Sequence, residues 1–241
     1  MTMAGSEPRG SVLVLGARGG IGSAVVHRLS AAGCVVTGTD LPEVDLAARD
    51  VVAAHIAELW DRAGGFDALV HAAGVFPAAA VADSDEDLFD RVMAVNTRSA
   101  LSAGAQFVRA CTAAGRTGSM VFVSSGSAVR ARAGTAVYAA SKAALDALVR
   151  GFALEHGRDG IRCCAVAPGF VDVDSAINPV PPSYVDDLRA ASLRGRLGRA
   201  ADIAAVIAWL LSPDAEWVNG RTVPVDGGDG IGSVSGPSWL S

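Results

Sequence analysis

Residues 12–26 read VLVLGARGGIGSAVV, and how they divide decides the fold. Val12, Leu13, Val14 and Leu15 are apolar without a break, as in a strand buried on both faces, and from Gly20 onward the spacing turns helical. Gly16, Gly20 and Gly22 fall at the junction. Glycine at such a turn lets the backbone approach a pyrophosphate, and the amino end of the following helix offers free N–H groups and partial positive charge. Three glycines alone say little in a chain that has 28. Their place directly between a strand and a helix favours a dinucleotide site over a packing turn.

The same alternation runs along the rest of the chain. Apolar runs of strand length at 11–16, 34–40, 66–74, 119–125, 161–169 and 221–228 are separated by helical stretches near 20–32, 48–63, 84–114, 137–156 and 200–211. Strands in alternation with helices predict an α/β fold: one doubly wound Rossmann-type domain, a central parallel β-sheet with helices on both faces and the ligand at the carboxyl ends of the strands. The segment 172–197 differs. Pro179, Pro181 and Pro182 precede a short amphipathic stretch, which suits a lid over a site or a plain surface excursion. Residues 1–10 are expected to be a flexible amino terminus. The tail 229–241 either packs across a subunit boundary through Trp239 or frays.

At 241 residues, 51% hydrophobic and with a mean hydropathy of +0.36, the chain can bury a core for a single domain. A net charge of −5 with dispersed arginines gives no footprint for nucleic acid. No segment approaches the roughly 18 apolar residues that span a bilayer, and the start lacks a signal-peptide run, so a cytoplasmic protein without a membrane partner is expected. Cys34, Cys111, Cys163 and Cys164 lack metal-ligand spacing and read as reduced core thiols; no metal is expected.

Two further features concern chemistry. Asp40 closes the second strand, where a carboxylate can accept from both hydroxyls of an adenosine ribose and repel a 2′-phosphate, which favours NAD over NADP. Arg18, in the glycine turn, could meet a 2′-phosphate, a pyrophosphate oxygen or Asp40 itself. In YAASK, residues 138–142, the only lysine of the chain, Lys142, stands four residues after one of its two tyrosines, Tyr138. On a helix these positions share a face, so the ammonium is expected to lower the phenol pKa toward working pH and make it a usable proton donor and acceptor.

These motifs together resemble the classical short-chain dehydrogenase/reductases, from about Ser11 to Gly228. GARGGIG looks like that family's glycine loop, HAAG at 71–74 its mid-sheet motif and AVN, ending at Asn96, its helix asparagine. Ser125 lies thirteen residues before Tyr138, and then come Lys142, Pro168–Gly169, RLGRAADIA and VDGG. The resemblance implies hydride transfer between nicotinamide and a carbinol or carbonyl carbon. Tyr138 would move the proton, Ser125 would hydrogen-bond the substrate oxygen, Lys142 would also bind the nicotinamide ribose, and Asn96 would help hold a relay water. Ser124 is the local rival for the serine role and is expected to be structural. Further cofactor contacts implied are Ile21 at the pyrophosphate, Leu41 beside Asp40, Asp45 and Leu46 around adenine, Ala73 and Gly74 near the ribose, Pro168 and Gly169 at the strand end, and Val171 near the carboxamide. The stretch from Asp40 to Leu46 is short for the family.

The chain also departs from the pattern. Leu15 and Ala72 replace polar residues that usually tie two strands together, and Val173 stands where a threonine commonly holds the carboxamide, so Asp172 or Ser175 would have to substitute. Arg132 matches an arginine of the dihydro-dihydroxybenzoate dehydrogenases, so it would pair with a substrate carboxylate, unless it is a solvent-facing loop residue. The favoured reading is an NAD-dependent dehydrogenase of a small cyclic secondary alcohol, with or without a carboxylate, in specialised metabolism. The alternatives are an NADPH-dependent 3-ketoacyl or polyketide reductase and a dinucleotide-binding sensor or scaffold. The partners implied are a small-molecule substrate and copies of the same chain, in a homotetramer or homodimer.

Overall fold

Strand β1 (Ser11–Leu15) runs through the middle of the sheet, with β2 (Val35–Thr39) on one side and β3 (Ala68–His71) on the other, both parallel to it. The computed structural model describes residues 8, 10–130, 132–173 and 181–232. Beyond β3 follow β4 (Gly118–Val123), β5 (Ile161–Pro168) and β8 (Thr222–Val225), completing a six-stranded parallel sheet in the order β2-β1-β3-β4-β5-β8. The order reverses between β1 and β3, and a parallel sheet of this kind opens a crevice at that point, at the carboxyl ends of its strands.

Alternate residues of each strand serve opposite faces. Leu13 and Leu15 pack with Ile56, Phe107, Leu145 and Phe152, from helices α2 (Val51–Ala63), α4 (Ser99–Ala114) and α5 (Ala136–His156). Val12 and Val14 pack with Val25, Leu29, Ile203 and Ile207, from α1 (Gly20–Ala31) and α7 (Ala200–Leu211). The expected helix-covered sheet is therefore present, and its central strands β1 and β3 read as mainly apolar runs because both faces are covered. Cys34, Cys111, Cys163 and Cys164 are all buried, and none of them is joined in a disulfide.

Two helices differ from the sequence expectation. The helical stretch near 84–114 is α3 (Glu86–Met93), a π-helical turn at Ala94–Arg98, and then α4. Asp85 starts it by accepting a hydrogen bond from the Leu88 amide at 2.8 Å. The π turn carries Asn96, and such local widening changes where a side chain is aimed. Helix α2 begins at Val51 rather than near 48, because Asp45 and Ala48 close a turn and Asp50 takes a left-handed conformation at φ 62°.

After β5 the chain forms the two-residue strand β6 (Val171–Asp172), which pairs with β7 (Gly198–Arg199) just before α7. This short ladder ties together the two ends of the excursion expected near 172–197. Its described part holds α6 (Pro182–Ala191), which buries none of its residues and meets the body through Tyr184, edge-on to Phe170 at 6.4 Å. Ser175 and Trp239, and the rest of 174–180 and 233–241, lie outside the described residues. Among the described residues no helix is long and apolar enough to cross a membrane.

Candidate active site

The carboxyl ends of β1, β3, β4 and β5 bring the sequence motifs together. Gly16 has φ 78°, and a Cβ there would lie 2.5 Å from the Ala73 nitrogen; a Cβ on Gly22 would lie 1.9 Å from the Gly16 oxygen. Side chains at either position would drive the turn apart. Helix α1 has Gly19 at its N-cap, no side-chain cap and no acidic residue in its first turn. Its leading amides keep the partial positive charge that suits an anion. Ile21 is partly buried against the core behind them. At Leu15 and Ala72, where no polar side chain links the strands, the β1–β3 ladder continues with the Ala72 amide donating to the Leu15 carbonyl at 2.9 Å.

Asp40 follows β2 and accepts two main-chain hydrogen bonds, from Arg18 at Oδ2 and from Leu41 at Oδ1, each 2.9 Å. The Arg18 side chain takes a partner the sequence reading did not name. Its guanidinium grips the Glu43 carboxylate with both terminal nitrogens and also donates to the Leu41 carbonyl. Leu41 and Asp45 are exposed, and Asp45 accepts from the Ala47 amide at 2.9 Å. Leu46, expected around adenine, is only 7% exposed and packs into the core with Val44. In so short a connection, these two apolar residues are what anchors the loop to the domain.

Asn96 is fully buried and holds Val75 from both sides: Oδ1 accepts from the Val75 amide at 2.8 Å and Nδ2 donates to its carbonyl at 2.9 Å. Nδ2 also donates to Ser141 Oγ at 3.0 Å. Both amide hydrogens are thus committed to protein. The side chain clamps the chain after β3 onto α5. Gly74 lies beneath this clamp, and a Cβ there would be 3.4 Å from both Asn96 Oδ1 and Lys142 Nζ.

Lys142 is 3% exposed and donates to the Val123 carbonyl, at the end of β4, at 2.8 Å. Burial pulls its pKa down to about 8, against a smaller upward pull from Asp146. Its Nζ stands 5.7 Å from the centroid of the Tyr138 ring. The phenol pKa is raised by burial, and a hydrogen bond with Ser125 opposes the rise. The expected lowering by Lys142 is not what this arrangement produces. Burial shifts the ammonium itself toward neutrality, and its hydrogen bond goes to the strand.

The two serines that follow β4 differ in their partners. Ser125 Oγ accepts from the Ser127 amide at 3.1 Å and meets Tyr138. Ser124 Oγ is buried and, among the described residues, the one such side-chain atom without a hydrogen-bond partner. The fit to a dinucleotide rests instead on the glycine turn and the uncapped amino end of α1, whose free amides and close backbone approach suit a pyrophosphate. Phe76 packs edge-on to Tyr138 at 4.5 Å and covers that side of the phenol.

His71 went unremarked in the sequence beyond its motif. It is buried, with Nε2 2.7 Å from Ser99 Oγ, and burial followed by the Lys142 charge pushes its pKa down to about 3. It is a neutral imidazole that ties the end of β3 to α4.

On the far side, Pro168 ends β5 and the Gly169 amide donates to the Val225 carbonyl at 3.2 Å. Val171 pairs with Gly198, and the Val173 side chain closes on Gly20, where a Cβ would lie 2.6 Å from it. Arg132 is not a free anion receptor: it and Arg130 both bond the Asp229 carboxylate, from the loop after β8. A cavity of about 350 Å³ opens nearby among Phe170, Arg194, Asp202 and Asp226. A larger hollow of about 470 Å³ beside Trp60 and Arg109 lies at the carboxyl ends of α2 and α4, the wrong edge of the sheet for these residues. Among the described residues no cluster of His, Cys, Asp or Glu could hold a metal ion.

A family model described as enoyl-(acyl carrier protein) reductase matches residues 41–229. A sorbitol dehydrogenase of Cereibacter sphaeroides is 33% identical over 185 residues, covering 72% of each chain. The 3-oxoacyl-(acyl-carrier-protein) reductase MabA of Mycobacterium tuberculosis is 30% identical over 92% of this chain and 93% of its own. Among solved structures, a short-chain dehydrogenase/reductase from Serratia marcescens superposes with a TM-score of 0.82 at 29% identity, over 91% of this chain and 97% of that one.

Proposed function

Because this chain belongs to the classical short-chain dehydrogenase/reductase family and is an oxidoreductase of alcohol and ketone groups, we propose that it works with NAD in preference to NADP on a small cyclic secondary alcohol or its ketone. The observation that carries this reading is the convergence of Ser125, Tyr138 and Lys142 beside the glycine turn, with the Asp40 carboxylate fixed at the end of β2.

When bound, the nicotinamide supplies the carbon that accepts or gives hydride. Tyr138 holds or takes the proton of the substrate oxygen, and Ser125 hydrogen-bonds that oxygen. Lys142, fixed by Val123, offers its remaining donors to the nicotinamide ribose and adjusts the charge beside the phenol. Asn96 acts through position, because it holds the Val75 backbone and Ser141 against the Tyr138 helix. The amides at the start of α1 receive the pyrophosphate. Phe76 covers one side of the phenol and limits water there.

As a second reading, the likeness to MabA supports reduction of a 3-ketoacyl or polyketide-type substrate with NADPH. A carboxylated alcohol would have to exchange with the Asp229 carboxylate at Arg132. The chain is also read as a homotetramer or homodimer, for which Leu101, Leu154 and Trp217 offer exposed apolar surface. Initial rates at the nicotinamide absorbance, with NAD and NADP in parallel on cyclic secondary alcohols and ketones, test the reading. Turnover with NAD that vanishes in Tyr138→Phe supports it. Activity with NADP and ketones alone would give first place to the reductase, and turnover by neither wild type nor variant would leave a binding protein.

A further inference from the structure

We propose that Glu43 is a specificity residue of the nucleotide site: by holding the Arg18 guanidinium in a two-pronged pair, it withholds that cation from a ribose 2′-phosphate. The inference rests on the reading of the glycine turn as a dinucleotide site. Arg18 sits in that turn, and its own amide is bonded to Asp40 at 2.9 Å. A guanidinium in this position would ordinarily be the natural counterion for a 2′-phosphate and would work against Asp40. Here its Nη1 reaches Glu43 Oε2 at 2.6 Å, its Nη2 reaches Oε1, and Nη1 also donates to Leu41. Three directed bonds turn the fork back onto the loop that follows β2.

The loop in turn is fixed by Val44 and Leu46, whose side chains are in the core. Glu43, between Leu41 and Val44, therefore has little freedom to swing away with its partner. The Arg18 guanidinium holds the Glu43 carboxyl down to about 2, so the pair stays ionised at any working pH. Both side chains are about half exposed, at 59% and 44%, so solvent screens the pair and a strong enough competitor can open it. A 2′-phosphate, with a charge of about −1.5 to −2, would have to displace one carboxylate while facing another at Asp40. A ribose with a free 2′-hydroxyl has no such competition and accepts the site as it stands.

Calorimetric titration tests this without turnover, using ADP-ribose and 2′-phospho-ADP-ribose on wild type, Glu43→Gln, Arg18→Ala and the double variant. Thermal melts confirm that each is folded. Glu43→Gln is expected to tighten 2′-phospho-ADP-ribose about tenfold, as loss of one close like-charge contact and release of one Arg allow. It should leave ADP-ribose within about twofold, and its gain should shrink to about twofold or less when Arg18 is Ala. An unchanged affinity for the 2′-phosphate in Glu43→Gln, with ADP-ribose binding normally, overturns the role of Glu43 alone. A tenfold gain that persists without Arg18 also overturns it, since simple repulsion would then suffice. If wild type binds neither compound, the nucleotide-site reading falls and the proposal falls with it.

Discussion

Replacing Lys142 by Met should abolish turnover and yet stabilise the fold at neutral pH. Burial lowers the Lys142 pKa from an ordinary 10.5 to about 8, and at about 1.4 kcal/mol per pKa unit the ammonium costs the folded state about 3 kcal/mol when charged. Methionine fills much of the same volume without a charge, but it leaves the Val123 carbonyl without its 2.8 Å donor, a loss of about 1–2 kcal/mol. The net expectation at pH 7 is a gain of about 1–2 kcal/mol. The sign follows from the depressed pKa. The penalty on wild type is complete below pH 8, where folded and unfolded chains are both protonated, and it disappears as pH rises toward 10.5. Tyr138 and the buried cysteines also titrate in the alkaline range, but they are common to both proteins and largely cancel in the difference. Urea melts followed by tryptophan fluorescence from pH 7 to 10.5 should therefore show the advantage of the variant shrinking and then reversing. A variant less stable at pH 7, with a difference that does not move with pH, would refute the desolvation argument.

Asn96→Ala removes the bonds that hold Val75 and Ser141 and should destabilise the fold by about 2–4 kcal/mol, measured by denaturant titration. Asp229→Ala frees Arg130 and Arg132 from their shared carboxylate. It should lower KM for carboxylated alcohols by about threefold without changing that for neutral ones, whereas equal effects on both would make Asp229 a scaffold residue only. Because the Tyr138 pKa is raised, kcat/KM for alcohol oxidation should climb across pH 7–9 while that for ketone reduction holds or falls. Parallel profiles for the two directions would contradict that assignment of the proton.

The apolar runs were enough to place every strand of the main sheet, because the central strands β1, β3, β4 and β5 are buried along nearly their whole length and their few polar residues do not interrupt the pattern. Gly16, Gly22 and the Ser125, Tyr138 and Lys142 set were legible for a related reason, since each needs its residue type at a fixed separation from a strand end. The π turn at Ala94–Arg98 was not, because it inserts one residue into a helical repeat without changing composition. Glu43 and Asp229 escaped for another reason: each meets its arginine through loop geometry, 25 and 97–99 residues apart in the chain, and exposed charges carry no periodicity. The resemblance places Leu46 at the adenine, and its side chain also anchors this short loop in the core, which the resemblance alone does not show. The phenol of Tyr138 showed the limit of arguing from spacing alone, since the four-residue separation from Lys142 says nothing of how deeply both groups are buried.

The most direct test of the account is to follow a deuterium from the carbinol carbon of a labelled cyclic secondary alcohol to the nicotinamide ring by proton NMR. The account predicts that wild type delivers the label to one face of the C4 carbon of NAD and that Tyr138→Phe delivers none, although it still binds the nucleotide. Label transfer that survives in Tyr138→Phe, or exchange with solvent in place of transfer, would contradict it.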